Sequence, residues 1–574
     1  MTNTFTYFFI DTDDSLVPIT PIEKYAKHLK QVYFKAILHP KWPPIKMTKY
    51  IGLVTIEKNC QHSIPMQSIF KTEDNHNVSR VLIEGGPGSG KSTFALELCT
   101  RWGKGEMFQQ FSLVVLLPFH DRHVKRAKSL KDLFSTYFHK PDDQQAIVEA
   151  ISYNEGESVL LILEGFDELP MTEEHEDTRY FLISRLFANV ELPNATVLIT
   201  TRPHVTIPIL DYCDRNSRIL QIVGFRDEDV KQYIQTAGLS VEQQASLTEY
   251  LDLNVHIHEM VYNPLHCAIL VQLYKTDCSK KTSPPKTSTQ LFNQLVKYLV
   301  LRYMQEKYGR LPVIKKLNFP QCLPKPEYDE FHRLCDMAYQ GFMKGDSDFD
   351  LPEDIKHLNL MQASVEPFDA NVTFSFLHLS LQEYLTAFWI HIHSSPEEQF
   401  KLLKEHVSNP GRYDTVLQFL AGLSDKIKWE DLSKYIFANR QALNIDSFYI
   451  DNDVKGVQLP VLSWLFENQN TDICRKVLGE ETIGFFSKYH TTPFDYYVLA
   501  YCIVNSACNW EIQVQLPMVD WLDTFCKSFQ AVKVHGGKVV TLNVSHCGIS
   551  ETGWDFLFSH SVCPFQSLEQ LSVI

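Results

Sequence analysis

Eight consecutive residues, Gly85 to Ser92, have the order expected of a phosphate-binding loop. They match G-x-x-x-x-G-K-[ST], in which small residues let successive backbone N–H groups turn toward a β-phosphate. Lys91 would neutralise the β- and γ-phosphate oxygens, and Ser92 would reach Mg²⁺. The loop predicts a nucleotide site, but kinases, motors and switches all use it. The residues expected to bind the nucleotide here are Gly85, Gly86, Pro87, Gly88, Ser89, Gly90, Lys91, Ser92 and Thr93.

Three acidic side chains follow the apolar run SVLLIL, which lies after the loop in the chain. P-loop proteins use carboxylates at such a position to hold Mg²⁺ and to orient the attacking water. Glu164 ends the run, so we expect it in the metal shell. Asp167 and Glu168 are the candidates for polarising a water against the γ-phosphate. The alternative for these acids is a solvated turn after a core strand.

A guanidinium follows a further apolar run, ATVLITTRP, which brings Thr200, Thr201 and Arg202 to the same edge. Because arginine is always charged and forked, Arg202 could sense whether a γ-phosphate is present. An arginine after a strand is also common on protein surfaces, so the residue type alone leaves both interpretations open.

Five apolar runs must position these residues: VLIEG, FSLVVLLPF, SVLLILEGF, ATVLITTR and RILQIVGF, all between residues 78 and 225. They alternate with helical patterns, and near-continuous apolar runs are typical of parallel strands buried on both faces. We therefore predict an α/β P-loop NTPase domain with a doubly wound parallel sheet. Its ligand should lie at the carboxyl ends of the strands.

The pattern becomes helical from about residue 226 to 535, and the C-terminal part changes again. The stretch VVTLNVSHCGI fits a leucine-rich repeat, with apolar residues recurring 29 positions later. About three such repeats are needed to bury a core, so two would be part of an array. An ordinary hairpin with fortuitous leucines is the alternative. The residues that fit the pattern are Val539, Leu542, Val544, Cys547, Ile549, Leu568, Leu571 and Val573.

The composition of the chain restricts the kinds of partner and the cellular compartment that we expect for it. The chain has 574 residues, of which 44% are hydrophobic, and a net charge of −15 with scattered cations. This disfavours general nucleic-acid binding and anionic membrane surfaces, so we expect protein partners. No apolar run is long enough to span a membrane, and the 13 cysteines lack paired spacing. We expect a cytoplasmic protein with reduced thiols.

The order of GGPGSGKS, EGFDEL, ITTRP, YNPLHCAIL and FLHLSLQEYLTAF, followed by leucine-rich repeats, resembles the NACHT-domain NOD-like receptors of the STAND class of P-loop ATPases. The resemblance implies that Pro264 lies on the adenine side of ATP or ADP and that His378 contacts the phosphates. It also implies an innate immune receptor that is closed with ADP, oligomerises with ATP and hydrolyses ATP slowly. Its repeats would detect a protein ligand or a microbial or stress signal.

The resemblance also implies an order of domains, with boundaries read from the pattern changes. Glu164 stands where the family usually has Asp, and no effector module is evident before residue 75. The predicted domains are an N-terminal helical segment 1–77, the NACHT domain 78–225, a first helical domain 226–290, a winged helix 291–395, a second helical domain 396–535 and partial leucine-rich repeats 536–574.

His378 precedes the stretch LSLQEYLTAFWI, which has a capping-box pattern with Ser380 at the N-cap and Glu383 three residues later. A helix should therefore begin just after His378, and the imidazole could donate to the β-phosphate of ADP. The alternative is a histidine with a structural role, whose hydrogen bonds are made locally beside its helix. Pro264 has a similar alternative, because proline is favoured in the first turn of a helix.

Three functions remain open from the sequence. The first is a nucleotide-controlled switch, which the long helical region and the repeats favour. The second is a turnover P-loop ATPase or nucleotide kinase, although no Arg-rich lid or monophosphate site is visible. The third is an effector-less regulator that binds nucleotide without hydrolysing it.

Overall fold

The computed structural model describes the chain in segments that include all the predicted motif residues of the nucleotide domain. The described residues are 20–38, 51–57, 63–72, 74–121, 124–125, 127–135, 141–168, 178–203, 217–275, 285–309, 319–351, 357–365, 372–406, 411–425, 427–436, 455–487, 492–515, 537–545 and 569–573.

The N-terminal part is an α/β unit. Its elements in chain order are α1 (Pro21–Leu38), β1 (Val54–Glu57), β2 (Arg80–Gly85), α2 (Lys91–Gly103), β3 (Leu113–Pro118), α3 (Leu130–Ser135), α4 (Pro141–Tyr153), β4 (Val159–Glu164), α5 (Thr178–Phe187), β5 (Thr196–Thr201) and β6 (Ser217–Gly224).

These strands form one six-stranded sheet in the order β1-β6-β2-β5-β4-β3. The five predicted runs are β2 to β6, and their pairings are all parallel. Every residue of β2 and β4 is buried, as the apolar runs predicted. The prediction of a parallel sheet is confirmed, with one addition: β1 pairs antiparallel with β6 at the edge. The carboxyl ends of β2, β5, β4 and β3 consequently lie side by side.

Helix α1 covers the other edge of this sheet. The Tyr33 hydroxyl donates to the Val114 carbonyl at 3.1 Å and accepts from the Leu116 amide at 3.0 Å, both on the edge strand β3. Tyr33 is 2% exposed and its ring lies edge-on to Trp102 of α2. Helix α1 is therefore part of the core of the nucleotide domain, although we predicted it in a separate segment.

The middle part is helical with one small sheet. Its elements are α6 (Asp227–Thr236), α7 (Val241–Leu253), α8 (Val255–Met260), α9 (Pro264–Lys275), α10 (Ser288–Tyr308), α11 (Lys325–Lys344), β7 (Asp348–Phe349), β8 (Met361–Val365), β9 (Val372–Phe376), α12 (Leu379–His393), α13 (Pro396–His406), α14 (Asp414–Leu423) and α15 (Trp429–Ile436). Strands β7, β9 and β8 pair antiparallel between α11 and α12, as the predicted winged helix requires.

The C-terminal part contains a second, fully parallel sheet in the order β10 to β14. Its elements are β10 (Lys455–Val457), α16 (Leu459–Asn468), α17 (Thr471–Leu478), β11 (Thr482–Ser487), α18 (Pro493–Val504), β12 (Asn509–Gln515), β13 (Lys538–Ser545) and β14 (Gln570–Val573).

The register of this sheet advances by a nearly constant number of residues. Lys455 pairs with Ile483, Ile483 with Trp510, and Trp510 with Val539, and then Leu542 with Leu571. Because β13 and β14 are parallel, the alternative of a hairpin is wrong. A regular strand-and-helix repeat is the geometry of a solenoid.

The parallel sheet begins at Lys455, inside the segment 396–535 that we predicted as helical. Of the residues that fitted the repeat pattern, Cys547, Ile549 and Leu568 lie outside the described residues. One hydrophobic core runs from Met260 to Leu542, so the middle part and the parallel sheet pack as a continuous body. Among the described helices, none has both the length and the apolar character to cross a membrane.

Candidate functional site

The predicted phosphate-binding loop connects β2 to α2. Lys91 is the first residue of α2, and its ammonium donates to the carbonyls of Gly85 at 2.7 Å and Gly86 at 3.1 Å. Gly90, at the N-cap, has a φ of 98°, which few residues other than glycine adopt. The loop thus directs a cation and a helix N-terminus toward one small volume, which suits a phosphate group. Thr93 lies in the first turn of α2 and is exposed.

A turn from the helical part holds this loop. The Asn263 side chain donates to the Pro87 carbonyl at 2.8 Å, and the Leu265 amide donates to the Gly88 carbonyl at 3.2 Å. A Cβ on Gly88 would lie 2.7 Å from the Leu265 Cβ, so the close approach requires glycine. Pro264 is the first residue of α9, as the helix-start alternative predicted. The contact of Asn263 with the loop was not predicted. The sequence feature that could have indicated it is the position of Asn263 directly before Pro264.

Ser92 and Glu164, the two residues predicted to bind Mg²⁺, meet beside the loop. The Ser92 hydroxyl donates to Glu164 Oε1 at 2.5 Å, and His120 Nδ1 lies 3.6 Å from Glu164 Oε2. Desolvation alone would raise the pKa of Glu164, but His120, Ser92 and Lys91 outweigh it and lower that pKa. A hydroxyl and an ionised carboxylate are oxygen ligands of the kind that Mg²⁺ prefers, so these residues fit the ion.

His120 is a site residue that the sequence analysis missed. It follows β3, whose carboxyl end is beside that of β4, and β3 pairs with β4 up to Glu164. The only signal in the sequence was its position after a predicted strand of the same sheet. Its contact with Glu164 places an imidazole next to the predicted metal ligand.

The other two predicted acids lie on a 3₁₀ turn, Phe166–Glu168, directly after β4. Asp167 Oδ2 pairs with Arg202 Nε at 2.9 Å. Desolvation, with repulsion from Glu164 and Asp167, raises the pKa of Glu168 to about 7. A carboxylate with a pKa near neutrality can accept a proton from water and release it again, which is what a general base requires.

Arg202 directly follows β5, at the predicted edge of the sheet, but its guanidinium contacts carboxylates from two parts of the chain. Besides Asp167, its Nη1 donates to Glu383 Oε1 at 2.7 Å and to the Thr415 hydroxyl at 3.3 Å. Glu383 lies on α12 and Thr415 on α14, so this arginine joins the nucleotide domain to the helical part. Desolvation opposes its charge, yet Glu383 and Asp167 raise the pKa of Arg202 above its usual value.

His378 is the N-cap of α12, and its Nδ1 accepts from the Ser380 amide at 3.0 Å. The predicted start of the helix is confirmed, but the predicted capping box is wrong. Ser380 lies inside the helix, and the Glu383 carboxylate bonds to Arg202 instead. Desolvation and the cations Arg202 and Lys91 lower the pKa of His378 to about 4. The imidazole is therefore neutral, and because Nδ1 accepts, its proton lies on Nε2.

The structure thus brings the predicted loop, acids and arginine to one edge of a parallel sheet. The carboxyl edge of such a sheet is where α/β domains bind their ligands. A glycine loop with lysine and serine, facing a carboxylate at the end of a neighbouring strand, defines a P-loop NTPase domain.

Comparison with known proteins gives the family. The NACHT domain model matches residues 79–238, from just before β2 to just after α6. NACHT, LRR and PYD domains-containing protein 3 of Rattus norvegicus is 24% identical over 524 residues, which cover 80% of this chain and 48% of the relative. Protein NLRC5 of Homo sapiens is 23% identical over 391 residues, which cover 66% of this chain and 20% of the relative.

Residues 79–238 therefore match a NACHT domain, and over most of its length the chain is similar to NOD-like receptors. It spans about half the length of the first of these relatives. A similar solved structure is that of a STAND protein with a tetratricopeptide repeat sensor from Pyrococcus horikoshii. The match covers 79% of this chain and 56% of the Pyrococcus chain, with 12% sequence identity. Its TM-score of 0.26 is too low to support an argument.

Proposed function

We propose that this protein is a nucleotide-controlled switch that is closed with ADP and opens to self-associate with ATP. The observation that carries the proposal is that α12, an element of the helical part, begins at His378 and carries Glu383, whose carboxylate lies 2.7 Å from Arg202 of the nucleotide domain. A residue that contacts both the bound phosphate and the helical part can make closure depend on which nucleotide is present.

His378 would act as a neutral hydrogen-bond donor to the diphosphate. Its proton on Nε2 is the one available for an anionic oxygen, since Nδ1 is occupied by the Ser380 amide. Lys91 would exchange the loop carbonyls for phosphate oxygens. When bound through Ser92 and Glu164, Mg²⁺ would neutralise charge on the β- and γ-phosphate oxygens.

Hydrolysis, where it occurs, would be slow and would return the protein to the closed state. Glu168 has the pKa of a general base at neutral pH, whereas Asp167 is held by Arg202. The Glu164 carboxylate already bonds to Ser92, and a side chain one methylene longer than the usual Asp leaves less room for the hydrated ion.

The family and the chain's composition support further parts of the proposal. The NOD-like receptor relatives support a role in innate immunity, with self-association as the output. The regular parallel sheet from β10 to β14 is a suitable surface for a protein ligand or another microbial or stress signal. We place the protein in the cytoplasm, because its dispersed cysteines suit a reducing compartment.

His378→Leu tests the switch. The purified variant should release ADP faster and elute earlier in size-exclusion chromatography than the wild type. His393→Leu is the matched control, because His393 is an exposed histidine at the far end of the same helix. Nucleotide is identified after denaturing each protein. If wild type carries no ADP, or if His378→Leu stays monomeric with the ADP content of His393→Leu, the proposal is wrong.

A further inference from the structure

The helical part closes over the edge of the site that carries Asp167, Glu168 and Arg202 through several polar contacts. The Lys125 ammonium donates to the Gly345 carbonyl at 2.6 Å, and the Ser347 hydroxyl donates to the His120 carbonyl at 3.4 Å. These contacts surround a cavity of about 40 Å³, whose lining includes Asp167, Glu168, Arg202 and Glu383. The space is large enough for a few water molecules. A third phosphate with its water would therefore compete with groups already present.

The pair of Arg202 and Glu383 forms one wall of this cavity. Their atoms are 2.7 Å apart, and the side chains are 10% and 2% exposed, respectively. A charge pair with so little exposure to solvent is strongly coupled, because little water is available to replace either partner. The guanidinium fork matches carboxylate and phosphate oxygens equally well. Glu383 therefore occupies a position on Arg202 that a γ-phosphate could take.

Two other cations of the cavity already bond to backbone carbonyls of the helical part. Lys125 bonds to Gly345, and the Arg412 guanidinium bonds to the Phe342 carbonyl. Arg202 differs from them because two of its partners are carboxylates, and one of these, Glu383, comes from α12. It is thus the cation whose partner must change if a triphosphate binds while α12 stays in place.

We propose that Glu383 determines the preference of the site for ADP over ATP, by holding the guanidinium that a γ-phosphate would need. The inference rests on the proposed nucleotide-binding function. ADP leaves the Arg202–Glu383 pair intact. A γ-phosphate that recruits Arg202 leaves Glu383 beside Asp167 and Glu168 in a small cavity, where like charges repel.

Release of α12 follows from this repulsion. Glu383 is on the same helix as His378, five residues later. A movement of the helix that displaces Glu383 from Arg202 would therefore also displace His378 from the nucleotide. Binding of the γ-phosphate and closure of α12 therefore oppose each other, and this coupling is reciprocal. Glu383 acts as a positioning residue, because it contacts Arg202 and affects nucleotide binding through that arginine.

Glu383→Gln tests the inference, because it keeps the shape and removes the charge. Dissociation constants are measured with Mg²⁺ for ADP and for the non-hydrolysable β,γ-imido analogue of ATP. We expect the ratio of the two constants to shift toward the ATP analogue by about tenfold, the size expected when one charge-assisted contact is lost.

Glu467→Gln is the matched control. Glu467 is also a buried carboxylate, on α16 of the C-terminal part, but it accepts from the Ser288 and Thr289 amides at 3.1 and 2.9 Å at the start of α10. It has no contact with Arg202 among its bonds to described residues. The same change of charge should lower stability there without altering the nucleotide ratio.

Thr415→Val provides a second test in case Glu383→Gln does not fold. It removes the 3.3 Å contact to Arg202 Nη1 but leaves both charges of the ion pair. The ratio should shift in the same direction by about twofold, because the 3.3 Å contact is long and the ion pair remains in place.

The outcomes separate the inference from the function. If wild type binds ADP and both Glu383→Gln and Thr415→Val keep its ratio, the role of Glu383 is refuted and the switch stands. A shift of equal size in Glu467→Gln also refutes it, because the effect would then be one of general destabilisation. If wild type binds neither nucleotide, the proposed function fails and the inference fails with it.

Discussion

Replacing Arg202 by Ala should destabilise the protein far more than replacing a surface arginine. The substitution leaves the buried carboxylates of Asp167 and Glu383, which are 7% and 2% exposed, without their shared cation. Removing one partner of a buried pair costs about 3–5 kcal/mol. The matched control is Arg302→Ala, whose partner Glu306 is 55% exposed. An exposed helical pair contributes only about 0.3–0.5 kcal/mol.

The loss should depend on pH in a defined direction. Desolvation already raises the pKa of Glu383, and Arg202 opposes that rise. Without Arg202 the folded-state pKa moves further above the unfolded value. A carboxyl group with a raised folded pKa stabilises below its unfolded pKa, and this contribution is lost as the pH rises through the folded pKa. The difference between wild type and Arg202→Ala should therefore be smaller at pH 5 than at pH 8.

Thermal unfolding of the nucleotide-free proteins measures this effect. For a cooperative unit of 150–250 residues, 1 kcal/mol shifts Tm by about 2–4 °C, so we expect a loss of about 6 °C or more at pH 8. Arg302→Ala should stay within about 2 °C of wild type. A loss that is the same at pH 5 and pH 8, or no larger than that of Arg302→Ala, would refute the reasoning.

Two further predictions concern the loop and the acids. Lys91→Ala should abolish the rise in Tm that ADP produces, because a ligand stabilises by mass action, whereas Lys104→Ala at the exposed end of α2 should keep it; equal shifts in both variants would contradict the phosphate role of Lys91. Glu164→Asp should hydrolyse ATP faster than wild type, since a shorter carboxylate leaves room for hydrated Mg²⁺. Glu168→Gln should be slower and should lose the rise in rate that wild type shows as the pH passes about 7. If Glu164→Asp gains nothing and Glu168→Gln keeps full activity, both roles are misassigned.

Local patterns predicted most of the nucleotide domain. The five apolar runs are the five parallel strands, because long buried runs and a glycine turn before a helix depend on few distant contacts. Strand β1 was not predicted. It has four residues, VTIE, and joins the sheet through pairing with β6, which is far away in the sequence.

The start of α12 shows where a local pattern fails. The sequence around Ser380 and Glu383 satisfies the capping-box rule, and a helix does begin there. Glu383 lies 181 residues from Arg202 in the chain, and its carboxylate bonds to that arginine instead of to the helix end. A rule based on the spacing of residues along the chain does not account for competition between the helix end and a distant arginine for the same carboxylate.

Asn263 and His120 went unpredicted for a related reason. Each acts in the site through a contact to a residue distant in the sequence, Pro87 and Glu164, respectively. Neither belongs to a residue pattern whose spacing implies a chemistry. Their importance appears only when the topology of the sheet and the position of α9 are known.

The Tyr33 hydroxyl occupies backbone groups that an edge strand would otherwise offer to another chain. Unprotected edges of this kind promote intermolecular strand pairing. A fragment cut to the span of the NACHT match, starting at residue 79, would lack α1 and expose β3 along one side. Such a fragment would be prone to aggregate through that strand, and any oligomers it formed would say nothing about the nucleotide. Biophysical work on the isolated domain should therefore begin no later than Thr20, whose hydroxyl accepts from the Glu23 amide in the first turn of this helix.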